Sequence, residues 1–210
     1  SGDPVWSFIA GGRVDSPPTF ADGFAVFGAA DGCIYCLRSA DGALVWRFQA
    51  APTDRRLVAF GQVESVWPCH GSVLVRNGVV YVTAGRSSYL DGGIHLYGLD
   101  LKNGDIVHGQ NVQTTQPQET TMKDTFNNWG ALTDILVSDG DNVFMRHLKF
   151  DERLNPTSPL YPLDDGNRAN GPRVMATSGF LDDTGNKRVY RACSDLWTGR
   201  YSPLRTQQLA

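Results

Sequence analysis

The chain has 210 residues, 41% hydrophobic and 20% charged, with a formal net charge of −3, the balance of an ordinary globular protein able to bury a substantial core. That charge excludes a general nucleic-acid binder, which needs a clustered basic surplus to neutralise phosphates. No run of about 18 apolar residues exists to span a membrane as a helix, and Ser1–Trp6 lack the basic start and apolar core of a signal peptide.

Read in chain order, the sequence is a succession of short apolar runs broken by turns. Pro4-Val5-Trp6-Ser7-Phe8 comes first and resembles Leu44-Val45-Trp46-Arg47-Phe48, with Trp6 lying 40 residues before Trp46. Residues 1–15 are therefore expected to be the end of a preceding four-stranded unit, and the chain to be a piece of a longer repeat array. Ser16–Gly28 then reads as strand, Asp22-Gly23 turn, strand. Ser72–Thr83 repeats it around Asn77-Gly78. Asp-Gly and Asn-Gly between β runs signal tight hairpins, because primed turns need positive φ.

The repeat continues. Tyr35–Trp46 aligns without gaps against Tyr97–His108, so each unit holds four hairpin-linked strands, the make-up of a propeller blade. The expected units are 16–50 and 65–111, the second carrying an insertion opened by Asp54-Arg55-Arg56, then two degenerate ones at 129–151 and 172–210. In the last, Val174–Thr177 and Arg188–Arg191 are the expected strands. Val112–Asn128, rich in Gln and Thr, reads as a long connecting loop, with a short helical turn conceivable over Thr121–Asn128. The fold class is thus all-β, a propeller of four-stranded blades forming an open arc of about three to four.

Cys33 and Cys36 form a C-x-x-C, but on a strand. Side chains three apart there point to opposite faces, so two separate buried thiols are expected, with neither disulfide nor metal.

The segment Tyr35–Trp46 resembles the tryptophan-docking repeat of quinoprotein (PQQ-like) propellers, Ala-x-Asp-x-x-x-Gly-x-x-x-Trp. Cys36 takes the Ala slot, Arg38 the Asp slot, Gly42 the Gly slot and Trp46 the Trp slot. In the second copy Gly98, Asp100 and Gly104 match, and His108 replaces the Trp. The resemblance implies a structural motif: the aromatic ring packs between neighbouring blades and the small residue makes room for it. Longer stretches, Gly11–Thr19, Asp54–Val75, Ala84–Gly93, Gly130–Lys149 and Ser178–Asp183, are similar to the uncharacterised planctomycete-type propellers. The repeat also resembles the propeller lipoprotein of the outer-membrane barrel-assembly machinery. The resemblance implies an exported, periplasmic or cell-envelope protein with no established reaction.

Candidate binding residues gather around the insertion: Trp67, His70, Arg86, Ser88, Tyr89 and Asp91. Loops of this kind present polar side chains at one mouth of a propeller, where they would hold a protein or a polar small ligand. In the opposing reading Arg86 and Asp91 pair across the loop and Ser87-Ser88 cap its turns. Arg146-His147 and the acidic turn Asp182-Asp183 are weaker candidates, for acid–base chemistry and calcium respectively. No catalytic residue and no metal ligand is expected, and no Gly-x-Ser-x-Gly elbow is present. A PQQ dehydrogenase of the family would bring a vicinal Cys-Cys pair, a Trp floor and a calcium-bound Asp. The sequence has no adjacent cysteines, so the expected cofactor is none, PQQ with calcium being the alternative. The functional expectation is a non-catalytic binding or scaffolding propeller, partnered by its remaining blades and by a ligand at the mouth, with no nucleic acid and no membrane span. The alternative is a PQQ-dependent oxidoreductase, or part of a larger enzyme.

Overall fold

The computed structural model describes residues 3–59, 61–113, 133, 135–145, 148–157, 173–176 and 191–194. Every regular element among them is a strand. β1 (Thr19–Ala21), β2 (Phe24–Gly28), β3 (Cys33–Arg38) and β4 (Leu44–Gln49) make an antiparallel sheet in chain order. A hairpin of β5 (Arg56–Ala59) and β6 (Gln62–Ser65) follows; it is the expected insertion, formed as a two-stranded sheet of its own. The second four-stranded sheet joins β7 (Leu74–Arg76), β8 (Val79–Ala84), β9 (Ile94–Asp100) and β10 (Ile106–Val112). β11 (Leu136–Ser138), β12 (Asn142–Met145) and β13 (Leu148–Asp151) form a three-stranded sheet, and β14 (Arg173–Ala176) pairs with β15 (Arg191–Ser194). The sheets follow one another as an open arc of propeller blades and do not close into a ring.

Local sequence accounts for the hairpins. Asp22 and Gly23, and Asn77 and Gly78, all have positive φ, the backbone that a two-residue primed turn demands and that Asp, Asn and Gly tolerate best. Both large sheets also share an irregularity. The register slips between Cys36 and Leu37 opposite β4, and between Ile106 and His108 in β10. An extra residue in the outer strand, Val45 or Val107, bends that strand and re-aims the side chain after it. That side chain is Trp46 in one sheet and His108 in the other.

Burial explains why the strands are not neatly amphipathic. Sheets stacked face to face bury both sides, and the apolar residues divide between three cores. One lies between the N-terminal segment and the first sheet, where Trp6, Phe8 and Ala10 meet Phe27, Cys33, Tyr35 and Leu37. The next joins the two large sheets through Val26, Ile34, Cys36 and Trp46 on one side and Val80, Val82, Leu99 and Leu101 on the other. The third joins the second sheet to β11–β13 through Ile94, Leu96, Val143, Met145 and Phe150. Cys33 and Cys36 accordingly face different cores, as free thiols.

Two expectations need correction. Residues around Val5-Trp6 form no strand, because the ladder partner that would define one is not beside them; Trp6 and Phe8 nevertheless pack as a closing strand's side chains would. The described return strand of the last pair is Arg191–Ser194, which meets the expected Arg188–Arg191 only at Arg191 and sets Cys193 opposite Val174. Thr121–Asn128, Arg146-His147 and Asp182-Asp183 lie outside the described residues. Among the described residues no helix is long and apolar enough to cross a membrane.

Candidate functional site

Antiparallel pairing gives each sheet two edges with different roles. The β1–β2 and β3–β4 turns lie at one edge. The β2–β3 loop, the approach to β1 and the connection leaving β4 lie at the other.

At the first edge the motif residues meet. Trp46 is 8% exposed, and its Nε1 donates to the Leu101 carbonyl of the next sheet at 2.9 Å. A Cβ on Gly104 would stand 2.8 Å from that ring, and Gly104 also has φ +76. Trp6 repeats the arrangement one sheet earlier. Its Nε1 donates to the Ser39 carbonyl at 2.8 Å, and a Cβ on Gly42 would lie 2.6 Å from its ring. Cys36 is the cross-strand partner of Trp46, and Gly98 that of His108. Small residues at these places leave room for the larger side chain opposite.

The other edge gathers the candidate binding residues, and charge decides how. Glu64, at the end of β6, is 2% exposed; a carboxylate so placed needs a cation beside it. Arg86, just past β8, pairs with one of its oxygens, and Arg13 lies 3.5 Å from the other. Arg13 Nε also donates to Asp15 at 2.5 Å, and Asp15 accepts from His70 Nδ1. The result is a continuous chain, His70–Asp15–Arg13–Glu64–Arg86, drawn from the approach to β1, from β6, from the connection before β7 and from the β8–β9 loop. Glu64 Oε2 and Arg86 Nε are buried without a hydrogen-bond partner among the described residues. Burial pushes the Asp15 carboxyl up, but hydrogen bonds from Arg13 and His70 outweigh it and hold the group below its ordinary value. Burial pushes the His70 imidazole down, and Asp15 only partly offsets this.

A second cluster lies along the same edge. Trp67 is buried, and its Nε1 donates to the Asp91 carbonyl at 2.8 Å. The Arg55 guanidinium lies 5.5 Å over the Trp67 ring and donates to the Asp91 carboxylate at 2.9 Å, a cation held on an aromatic face by a neighbouring anion. The His95 ring meets Trp67 edge-on at 6.5 Å. Ser87 Oγ accepts from the Tyr89 amide, and Asp91 and Gly92 turn the loop with positive φ. Ser88 is fully buried, Tyr89 is half-buried, and Leu90 beside it is 55% exposed.

The expected pairing of Arg86 with Asp91 is therefore wrong. Buried Glu64 claims Arg86, and exposed Arg55 takes Asp91. The structure draws Trp67 together with Asp91, and it links His70 with Arg86 through the charge chain. Arg13, Asp15, Arg55 and Glu64 were missed as site residues. The available signal was a lone Glu directly before the apolar run Ser65-Val66-Trp67, with two arginines each following a glycine, Gly12-Arg13 and Gly85-Arg86.

Chemically, the edge is a framework of paired charges in which not every buried polar atom is hydrogen-bonded. Cys33 and Cys36 face opposite sides of β3, and among the described residues no three His, Cys, Asp or Glu side chains converge as metal ligands.

The solved quinohemoprotein alcohol dehydrogenase of Pseudomonas putida HK5 is 16% identical with a TM-score of 0.50, over 76% of this chain and 22% of its own length. The BamB structure from Moraxella catarrhalis is 18% identical with a TM-score of 0.44, over 92% of this chain and 56% of the other. A third, quinohemoprotein alcohol dehydrogenase from Comamonas testosteroni, is 17% identical with a TM-score of 0.49, over 74% and 22%. The chain thus spans about a fifth of the dehydrogenases, and at this identity the likeness shows the fold alone. No curated protein sequence matches. The family model described as outer membrane protein assembly factor BamB matches residues 1–154, most of the chain. By that match the chain belongs to the BamB-like family of PQQ-repeat β-propellers.

Proposed function

We propose that this chain is part of a non-catalytic scaffolding propeller, exported to the bacterial cell envelope, that holds a partner protein along its loop edge. One observation carries the reading: the charged side chains at that edge are spent on one another, which fixes the loops rather than leaving a reactive group poised. A rigid edge with Arg55 and Leu90 at its rim suits recognition, where pre-organisation reduces the ordering cost of binding. The family description, an outer membrane protein assembly factor, supports an envelope partner. The remaining blades of a longer protein would be further partners in the same chain.

A photo-crosslinking residue placed at Tyr89 or Leu90, in cells, tests this. Discrete adducts with an envelope protein are expected there and not from Lys102 or Asp105 on the opposite edge. Equal adducts from both edges would contradict the reading. Adding PQQ with calcium to the purified chain separates the alternative: tight saturable binding with dye-linked alcohol oxidation would favour an oxidoreductase.

A further inference from the structure

The β5–β6 hairpin carries an inference that rests on the scaffolding reading and narrows where the partner sits. In an antiparallel pair, the peptide groups of alternate residues point toward the neighbouring strand and away from it. Two hydrogen bonds fix which are which. The Ser65 amide donates to the Ala30 carbonyl at 2.8 Å, away from β5, and the Val66 amide donates to the Arg55 carbonyl at 2.9 Å. Arg56 lies opposite Ser65 and Val58 opposite Val63. Leu57 and Ala59 therefore direct their amides and carbonyls at β6, and those of Arg56 and Val58 point outward. β5 pairs with no other strand, and among the described residues no backbone group bonds to them.

Other outer strands are protected against such pairing. β4 and β10 are bulged at Val45 and Val107, which blunts an edge. β13 is covered by the chain that follows it, through the Asp151 amide to the Asn155 carbonyl and the Thr157 amide to the Lys149 carbonyl. On the far side of the hairpin the Ser65–Ala30 bond closes β6. β5 keeps unbroken register and has none of these devices. Its side chains say what would pair with it. Arg56 and Val58 share one face. Val58 is 74% exposed and Val63 beside it 63%, a bare aliphatic pair. Arg56 holds Asp54 at 2.9 Å with both side chains more than half exposed. A surface pair of that kind contributes little and exchanges readily for another carboxylate.

We propose that β5 is the docking edge for an extended segment of the partner protein, added as a strand beside it. That segment carries a carboxylate for Arg56 and, two residues along on the same face, an aliphatic side chain over Val58 and Val63. Main-chain bonds supply the affinity, and the two side chains select the sequence.

The probe is a capped synthetic peptide, Thr-Thr-Glu-Thr-Val-Thr-Thr, titrated into the whole chain and followed by amide NMR. Saturable shifts and slowed exchange are expected at the Arg56 and Val58 amides and not along β4. Val58→Pro removes an outward donor, which an edge strand tolerates. It should weaken binding by about tenfold or more, while the Val66 amide stays protected. Arg56→Glu is the second variant and should reverse the preference, taking the peptide with Lys in place of Glu. No saturable shift, undiminished binding in Val58→Pro, or an unchanged preference in Arg56→Glu would each overturn the proposal. So would protection of Val58 that grows with the chain's own concentration, the mark of a second copy, or equal protection by phosphatidylglycerol vesicles. The scaffolding reading fails separately, by an absence of discrete adducts from Leu90 in cells. Undiminished Leu90 adducts in Val58→Pro would overturn only the added strand.

Discussion

Trp46 and Gly104 show how much of this molecule turns on single atoms. The ring fills the space a side chain on Gly104 would need, and its Nε1 satisfies a carbonyl in the next sheet. The thiols are equally determined by place. Burial pushes the Cys33 and Cys36 thiols up to about 11, and Cys69 well above its ordinary value. Thiolate is the reactive form, so at about pH 8 iodoacetamide should leave Cys33, Cys36 and Cys69 unmodified in the native chain and label all three in urea. Peptide mapping checks this; native labelling of Cys36 at the unfolded rate would show that it is not in the core. Arg86 should matter through Glu64. Arg86→Met leaves a buried carboxylate with only the long Arg13 contact and should cost about 3 kcal/mol in urea unfolding. Adding Glu64→Gln should recover most of that loss, and a neutral Arg86→Met would contradict the pairing.

At the scale of elements, legibility depended on sequence distance. Asp22-Gly23 and Asn77-Gly78 announce their hairpins because the turn chemistry is local. The motif residues of the two large sheets were readable because the repeat displays them twice. The charge chain was not, since its members span Arg13 to Arg86 and pairing is decided by burial, which Glu64 acquires only when the end of β6 meets the β2–β3 loop, the approach to β1 and the β8–β9 loop. The closing-strand reading of Val5-Trp6 found the right packing and the wrong element, because side-chain pattern does not supply a ladder partner. One comparison isolates what a glycine does. Gly78 and Gly104 have nearly the same φ, +75 and +76, but a Cβ on Gly104 would meet the Trp46 ring, while one on Gly78 would meet nothing within 4 Å. Gly78→Ala should cost about 1 kcal/mol for the left-handed backbone alone. Gly104→Ala should cost about 1–3 kcal/mol more, the penalty of overpacking. Equal losses in denaturant unfolding would mean that the ring yields freely.

For the whole molecule, the organising fact is that each of the two four-stranded sheets is a wall shared by two cores, so neither is stable independently of its neighbours. The outer strands show where sharing stops. Leu44 and Val45 in β4 and Ile106 and Val107 in β10 are all at least 41% exposed, at equivalent places in the two sheets. Trp46 is buried between the two large sheets and donates to the Leu101 carbonyl of the second, and we expect this docking to hold the sheets together as one arc. A double-mutant cycle measures that docking most directly. Trp46→Ala alone should cost about 3–5 kcal/mol. In its presence Gly104→Ala should cost only what Gly78→Ala costs, giving a coupling of about 1–3 kcal/mol between residues in different blades. Additive losses, with Gly104→Ala equally damaging whether or not the Trp46 ring is there, would contradict the docked arc.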